Sequence, residues 1–232
     1  GITGSRLYQA MRRGAEEKLW ETLSPLAMYR LRMQPDGTSA TRNIFARGIV
    51  SEVQSITGMW HYGEVYAPWE KFLDTLVEDG ALSSWSAVPY DWRKSTTDIA
   101  QESATLETLT RLAENSESGN VILVAHSNGG LVVQHLLQYI AENDPELLAR
   151  ISAIVFAGVP HMGTPKTVGD LLHGTTPPFE EVTRNTVAYM PGVYGLLPSR
   201  SLLLLLAVRS EMPVVTFDNS LAAVSGWEAY VG

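Results

Sequence analysis

The stretch from Asn120 to Leu137 reads NVILVAHSNGGLVVQHLL. An apolar run leads into Ala125-His126-Ser127-Asn128-Gly129-Gly130, and a second apolar pattern follows. A serine hydroxyl is a useful nucleophile only where the backbone exposes it and a base removes its proton. A strand–serine–helix turn meets the first need. The serine sits on a strained bend, and small residues two positions to either side avoid clashes. Ala125 and Gly129 are those residues here. A helix starting behind Ser127 would aim backbone N–H groups and its positive dipole end at a developing oxyanion. The N–H of Asn128 is the expected first donor. The plainer reading is a Ser-Asn-Gly-Gly turn without chemistry, which is common in α/β proteins. Strand, small residue, serine, glycine and helix in one run outweigh it. A second donor is expected from a loop after an earlier strand. Gly1-Ile2-Thr3-Gly4 suits that, because glycines let backbone approach a ligand closely, although Gly-x-x-Gly alone is more often an ordinary turn.

Strands and helices must position that serine. Val121 to Ala125 is apolar and rich in β-branched residues, which predicts a strand covered on both faces. Val132, Val133, Leu136, Leu137 and Ile140 then form a helical stripe, and ENDPE breaks it. ISAIVFAG at 151–158 predicts a second buried strand. Upstream, WSAVPYDWR reads as a short strand. STTDIAQESATLETLTRLAEN follows as a helix, with Ser95 and Asp98 at capping-box spacing. YGEVYAPWEKFLDTLVEDG predicts a helix ending at Gly80. RLYQAMRRGAEEKLWETL is compatible with a helix, and MQPDGTSATRN is loop-like. Alternation of strand and helix argues for a parallel α/β sheet with right-handed crossovers. From about residue 160 the pattern becomes Pro- and Gly-rich, with MPVVTF as one further short strand.

The chain has 232 residues, is 45% hydrophobic and carries a net charge of −8. That suits one domain with a sizeable core. An acidic balance argues against nucleic acid as a partner, since phosphate binding needs clustered Lys and Arg. No cysteine is present, so no disulfide, thiolate metal site or cysteine nucleophile is available. The composition is compatible with a bacterial protein in any compartment. The longest apolar run, Leu202 to Val208, falls far short of the roughly 20 residues of a membrane helix. No start of signal-peptide type is present, and the abrupt ends suggest a segment of a longer protein.

Four stretches, in order, resemble the lecithin:cholesterol acyltransferase-like branch of the α/β-hydrolases: GITGSRL at the start, PYDWR at 89–93, AHSNGG at 125–130 and AGVPHMGTP at 157–165. LLPSR at 196–200 resembles a cap-region stretch more loosely. The resemblance implies an α/β-hydrolase fold, with a parallel-sheet core and lid or cap insertions, in one partial domain over 1–232. Residues 5–60 would be lid-like and about 163–232 cap-like. It implies a serine hydrolase or acyltransferase for lipid or other carboxylic esters, with contact to a lipid surface and no metal or cofactor. By position Ser127 matches the nucleophile. Ile2 and Asn128 match the residues whose N–H groups form the oxyanion hole. Asp91 and Arg93 match an ion pair that steadies the loop beside the site; an ordinary surface salt bridge, worth under about 1 kcal/mol, is the plainer reading.

The fold's chain order puts an acid and then a histidine after the serine. His135 falls two turns into the following helix, towards solvent. His161 matches a pocket-lining position, and His173 lies in the irregular region. His126 is expected to be packed under the turn, and His61 precedes the serine. Asp144 ends a helix and Asp170 starts the irregular region. Asp218 is the best post-strand acid, yet no histidine follows it. The acid and histidine are therefore expected beyond Gly232. Two alternatives stay open: an esterase for small non-lipid esters or amides, and a non-catalytic α/β-hydrolase relative that binds a ligand.

Overall fold

A computed structural model describes residues 1–20, 25–51, 66–174 and 180–210. Its centre is a parallel pair, β4 (Val121–His126) beside β5 (Ile151–Ala157), with Val124 opposite Val155 and His126 opposite Ala157. The connection between them is helical: α5 (Asn128–Asn143), then α6 (Pro145–Ala149). The break falls at ENDPE. The Asp144 side chain accepts from the Leu147 N–H at 3.0 Å, and Pro145 occupies the first turn of α6, where a missing N–H is harmless. The outcome is a mixed helix–strand architecture around a small parallel sheet.

One expectation about this sheet is corrected. Val121, Leu123 and Ala125 are buried, but Ile122 and Val124 on the other face are 54% and 45% exposed. Val155 and Phe156 of β5 are exposed as well. β4 is thus covered on one face among the described residues, and β5 carries exposed residues on both. An uninterrupted apolar run says that both faces tolerate burial; it does not say which neighbours do the burying.

Two helices, α3 (Thr96–Ala100) and α4 (Ser103–Asn115), replace the single one expected. Ser95 caps α3, accepting from the Asp98 N–H at 3.0 Å. The chain turns extended at Glu102, whose carboxylate meets Lys94 at 2.7 Å. α3 and α5 join two apolar clusters. Ile99 and Val132 pack with Leu7, Trp92 and Met190, whereas Ala100, Leu136 and Ile140 pack with Leu109, Leu123 and Leu147.

The first fifty residues also depart from expectation. RLYQAM is not helical: β1 (Ser5–Ala10) lies between β2 (Glu16–Lys18) and β3 (Ile44–Ile49) in an antiparallel sheet. Arg13 and Gly14, with φ of 65° and 78°, turn the chain back between β1 and β2. Leu7 is fully buried and anchors this sheet to the core. α1 (Pro25–Arg30) follows β2, and α2 (Ala67–Glu78) forms as expected, with Gly80 at φ 73° beyond its end. WSAVPYDWR is not a strand. It has no strand partner, and Pro89 lacks an N–H for one; Tyr90 N–H instead donates to Ser5 Oγ at 3.1 Å. The Pro-rich region is more regular than expected, with α7 (Pro165–His173), α8 (Glu180–Val187), α9 (Pro191–Tyr194) and α10 (Arg200–Ser210). Pro165 and Pro191 open their helices, where proline is favoured. MPVVTF, Asp218 and His61 lie outside the described residues.

The packing of α5 on β5's exit sets a sharp steric test. A Cβ at Gly130 would sit 2.2 Å from Val159 Cγ2, whereas one at Gly129 meets nothing closer than the Tyr90 hydroxyl, 3.6 Å away. Gly130→Ala is expected to destabilise by about 2 kcal/mol or more through overpacking. Gly129→Ala should be neutral or stabilising by up to about 1 kcal/mol through helix propensity. Urea unfolding of both variants checks this, and equal losses would contradict the packing.

Candidate active site

Ser127 sits at φ 54°, ψ −131°, between the last residue of β4 and the first of α5. A non-glycine residue there is strained, and the surrounding bonds hold it. Ser127 N–H donates to Ala157 O at 3.0 Å, prolonging the β4–β5 ladder, and Gly130 N–H donates back to Ser127 O at 3.0 Å. The side chain is half-buried at the end of the sheet. Among the described residues, no group hydrogen-bonds its hydroxyl.

The Gly1–Gly4 loop lies against this turn. Gly4 N–H donates to Gly1 O at 3.0 Å, and Thr3 between them is held at φ 59°. A Cβ on Gly1 would stand 3.1 Å from Ser127 Cβ and 3.5 Å from its Oγ, and one on Gly4 would meet Gly1 O at 2.9 Å. Both glycines therefore have a steric reason at this spacing. Among the described residues, neither the Ile2 nor the Asn128 N–H has an acceptor. Asn128 heads α5, where such donors are left over by helix geometry.

The PYDWR segment supports the turn from behind. Arg93 and Asp91 are both buried, and they pair through two bonds: Nε to Oδ1 at 2.8 Å and Nη2 to Oδ2 at 2.6 Å. Arg93 Nη1 also donates to Leu31 O at 3.2 Å and Ser39 Oγ at 3.0 Å. This is a fully desolvated, fully bonded pair, not the surface salt bridge of the plainer reading. Trp92 Nε1–H donates to Ser5 O at 3.1 Å, tying the segment to β1. Gly192 N–H donates to Arg93 O at 3.0 Å, and a Cβ at Gly192 would come within 2.1 Å of Trp92 O. Tyr90 places its phenol beside Gly129. That hydroxyl and the Asn128 side chain are buried beside each other without a well-formed hydrogen bond to any described residue, and burial raises the Tyr90 pKa. The fourth and fifth motif stretches also meet: Thr164 N–H donates to Leu196 O and Ser199 N–H to Met162 O, both at 2.8 Å.

No described histidine faces the serine hydroxyl with a hydrogen bond. His126 is exposed rather than packed under the turn, because strand alternation sends it to the open sheet face. Its Nδ1 bonds the Tyr66 hydroxyl at 2.9 Å, and partial burial lowers its pKa. His135 is half-buried and bonds Leu131 O in its own helix. His161 bonds Gln134 of α5 at 3.0 Å and stands edge-on to Phe156. His173 is exposed at the end of α7. Asp144 is occupied as a cap, and Asp170 pairs with Lys166. Among the described residues, no cluster of His, Asp or Glu could hold a metal ion, and no helix is long and apolar enough to cross a membrane.

An apolar cavity of about 150 Å³ opens beside the glycine loop. Ile2 and Thr3 form one wall, Trp20, Leu31, Trp92, Met190 and Val193 the floor, and Thr167 and Asp170 of α7 a polar side. Trp20 and Trp92 meet edge to face at 5.2 Å. Trp20 Nε1–H donates to Thr3 O at 2.8 Å, so the cavity floor also holds the loop. No short motif singles out Tyr66 or Trp20. Their contacts run between segments far apart in the chain, and no local pattern encodes them.

The buried pair makes a measurable claim. Asp91→Asn or Arg93→Met leaves one buried charge unpaired, and each should destabilise by about 3–5 kcal/mol. Arg93→Lys should not rescue, since an ammonium cannot make the two-pronged contact. The double change Asp91→Leu/Arg93→Met should recover most of the loss. Denaturant unfolding reads all four, and single-variant losses under about 1 kcal/mol would show the pair to be a surface-type bridge.

The geometry can now be set beside known proteins. The family model for lecithin:cholesterol acyltransferase matches residues 46–215, which is most of the chain. The lysosomal phospholipase A and acyltransferase of Bos taurus is 31% identical over 111 residues, covering 44% of this chain and 26% of that protein. The chain thus spans about a quarter of the length of that relative. Among solved structures, a chain of the Tle4–Tli4 complex superposes with a TM-score of 0.50 at 16% identity, covering 86% of this chain and 53% of that one; the likeness is one of fold. On the family match, this chain belongs to the lecithin:cholesterol acyltransferase family.

Proposed function

We propose that this chain is the nucleophile-bearing part of a serine hydrolase or acyltransferase of α/β-hydrolase fold, acting on lipid or other carboxylic esters. The observation that carries the reading is the backbone of Ser127, forced to φ 54° between a parallel strand and a helix. A strained, half-buried serine whose hydroxyl bonds no described residue has, at that junction, the geometry of a nucleophile elbow. Ser127 Oγ attacks the ester carbonyl while a histidine from outside the described residues takes its proton. The N–H groups of Ile2 and Asn128, which have no acceptor among the described residues, hold the tetrahedral oxygen. The alcohol leaves, and water or a second alcohol releases the acyl group from Ser127. Asp91 and Arg93 keep the supporting loop in register.

Family membership and the phospholipase and acyltransferase named in the bovine relative support an acyl-bearing lipid as substrate. The cavity beside Ile2 is of matching character, being mostly apolar. Residues 5–60 and 163–232 would then enclose it as lid and cap. Trp69 and Phe72, exposed on α2 with their rings tilted at 37° and 5.3 Å apart, suit contact with a lipid surface. The chemistry needs no metal or cofactor.

Labelling with a fluorophosphonate tests the reading in the full-length protein. We expect one adduct, on Ser127, and none in Ser127→Ala. An adduct on another residue, or none, would remove the acyl-enzyme and favour a binding role for the fold.

A further inference from the structure

One hydroxyl joins the two loops of the site. Tyr66 Oη bonds His126 Nδ1 at 2.9 Å, and His126 immediately precedes Ser127. The same oxygen accepts from the Gly1 nitrogen at 3.3 Å and would lie 3.1 Å from a Cβ on Gly4. It therefore touches both ends of the turn that carries Ile2. The Tyr66 ring stands edge-on to the His126 imidazole, 5.7 Å away. Its backbone is fixed as well, because Tyr66 N–H and Ala67 N–H both donate to Ser51 O, at 3.1 and 3.2 Å. Ser51 in turn follows Val50, whose N–H donates to Gly4 O at 2.9 Å. Tyr66 is thus held by the strand end that also holds the glycine loop.

From this arrangement we infer that Tyr66 and His126 are a positioning pair: the Tyr66 hydroxyl locks the Gly1–Gly4 turn to the residue before the nucleophile, setting the Ile2 N–H relative to Ser127 Oγ. The inference rests on the reading of Ser127 as nucleophile and of Ile2 as an oxyanion donor. The pair touches neither substrate nor reacting atom. Its contribution is to hold one donor within the few tenths of an ångström over which an oxyanion contact is effective. Desolvation raises the Tyr66 pKa and lowers that of His126, which favours the uncharged form of both groups in this bond. Nothing in the open strand pattern around His126 requires a histidine for packing, since its side chain lies on the exposed face of β4.

Steady-state kinetics of the full-length protein on a p-nitrophenyl ester test the pair, with fluorophosphonate labelling of Ser127 as a parallel readout. Tyr66→Phe keeps the ring and removes the hydroxyl. It should lower kcat about 10- to 100-fold, the scale of a misplaced reacting group, and leave KM and the thermal midpoint nearly unchanged. His126→Ala should lose rate on the same scale, and the double variant should fall no further than Tyr66→Phe alone, because the contact to His126 is already lost with the hydroxyl. His126→Asn, whose amide oxygen sits near the place of Nδ1, should restore most of the rate. Additive losses, a rise in KM alone, or a Tyr66→Phe enzyme as fast as wild type would overturn the positioning role. A wild-type protein that does not label at Ser127 would instead overturn the proposed function, and this inference with it.

Discussion

A single hydrogen bond, from Ser127 N–H to Ala157 O, fixes where β4 stops behaving as a strand. Up to His126 the chain follows the ladder with β5. One residue later it must turn into a helix that lies back over the same sheet. A backbone making that turn within one residue passes through φ 54°, which an L-residue adopts only under constraint. The constraint comes from both sides: the ladder holds the strand, and Gly130 brings α5 close enough to seat on Val159. Everything else at the site is arranged around that corner. The glycine loop presses on it from the front, and the PYDWR segment fills the space behind.

The supporting interactions differ in kind. Asp91 and Arg93 contribute through completeness, since each charge is buried and each polar atom bonded. Such a pair specifies one geometry more than it adds net stability. Tyr90 and Asn128 do the opposite. Three polar atoms buried directly behind Ser127, with no well-formed bond to any described residue, contribute less to the fold than bonded ones would. Buried orphans are rare, and where they persist they mark places shaped by something other than stability. The turn, its strained serine and Thr3 at φ 59° belong to the same category.

Much of this site was legible in the sequence, and the reasons for the misses are physical. The strand–serine–helix turn could be read because its three parts are consecutive, and local propensity agrees with the tertiary structure. Ser95 declared its helix start through capping chemistry alone, whereas Asp144, read only as the end of a helix, also caps the start of α6. β1 could not be told from a helix: RLYQAM has no clear period, and its strand state is set by pairing with β3, some forty residues on. PYDWR looked like a strand because aromatics favour strands, yet its bonds go to side chain and backbone of Ser5. His126 was expected under the turn. Strand alternation from Ala125, which is buried, places it on the opposite face, where only the fold brings Tyr66 to meet it. Gly130, not Gly129, proved to be the glycine with no room for a side chain; a motif pattern names small positions without measuring them.

The central claim is that Ser127 and the N–H groups of Ile2 and Asn128 surround one reacting centre. A crystal structure of the full-length protein after reaction with a phosphonate ester measures this directly. The account predicts phosphorus bonded to Ser127 Oγ and the phosphonyl oxygen about 2.7–3.1 Å from both nitrogens. An adduct whose oxygen points to solvent, or to donors other than Ile2 and Asn128, would contradict it.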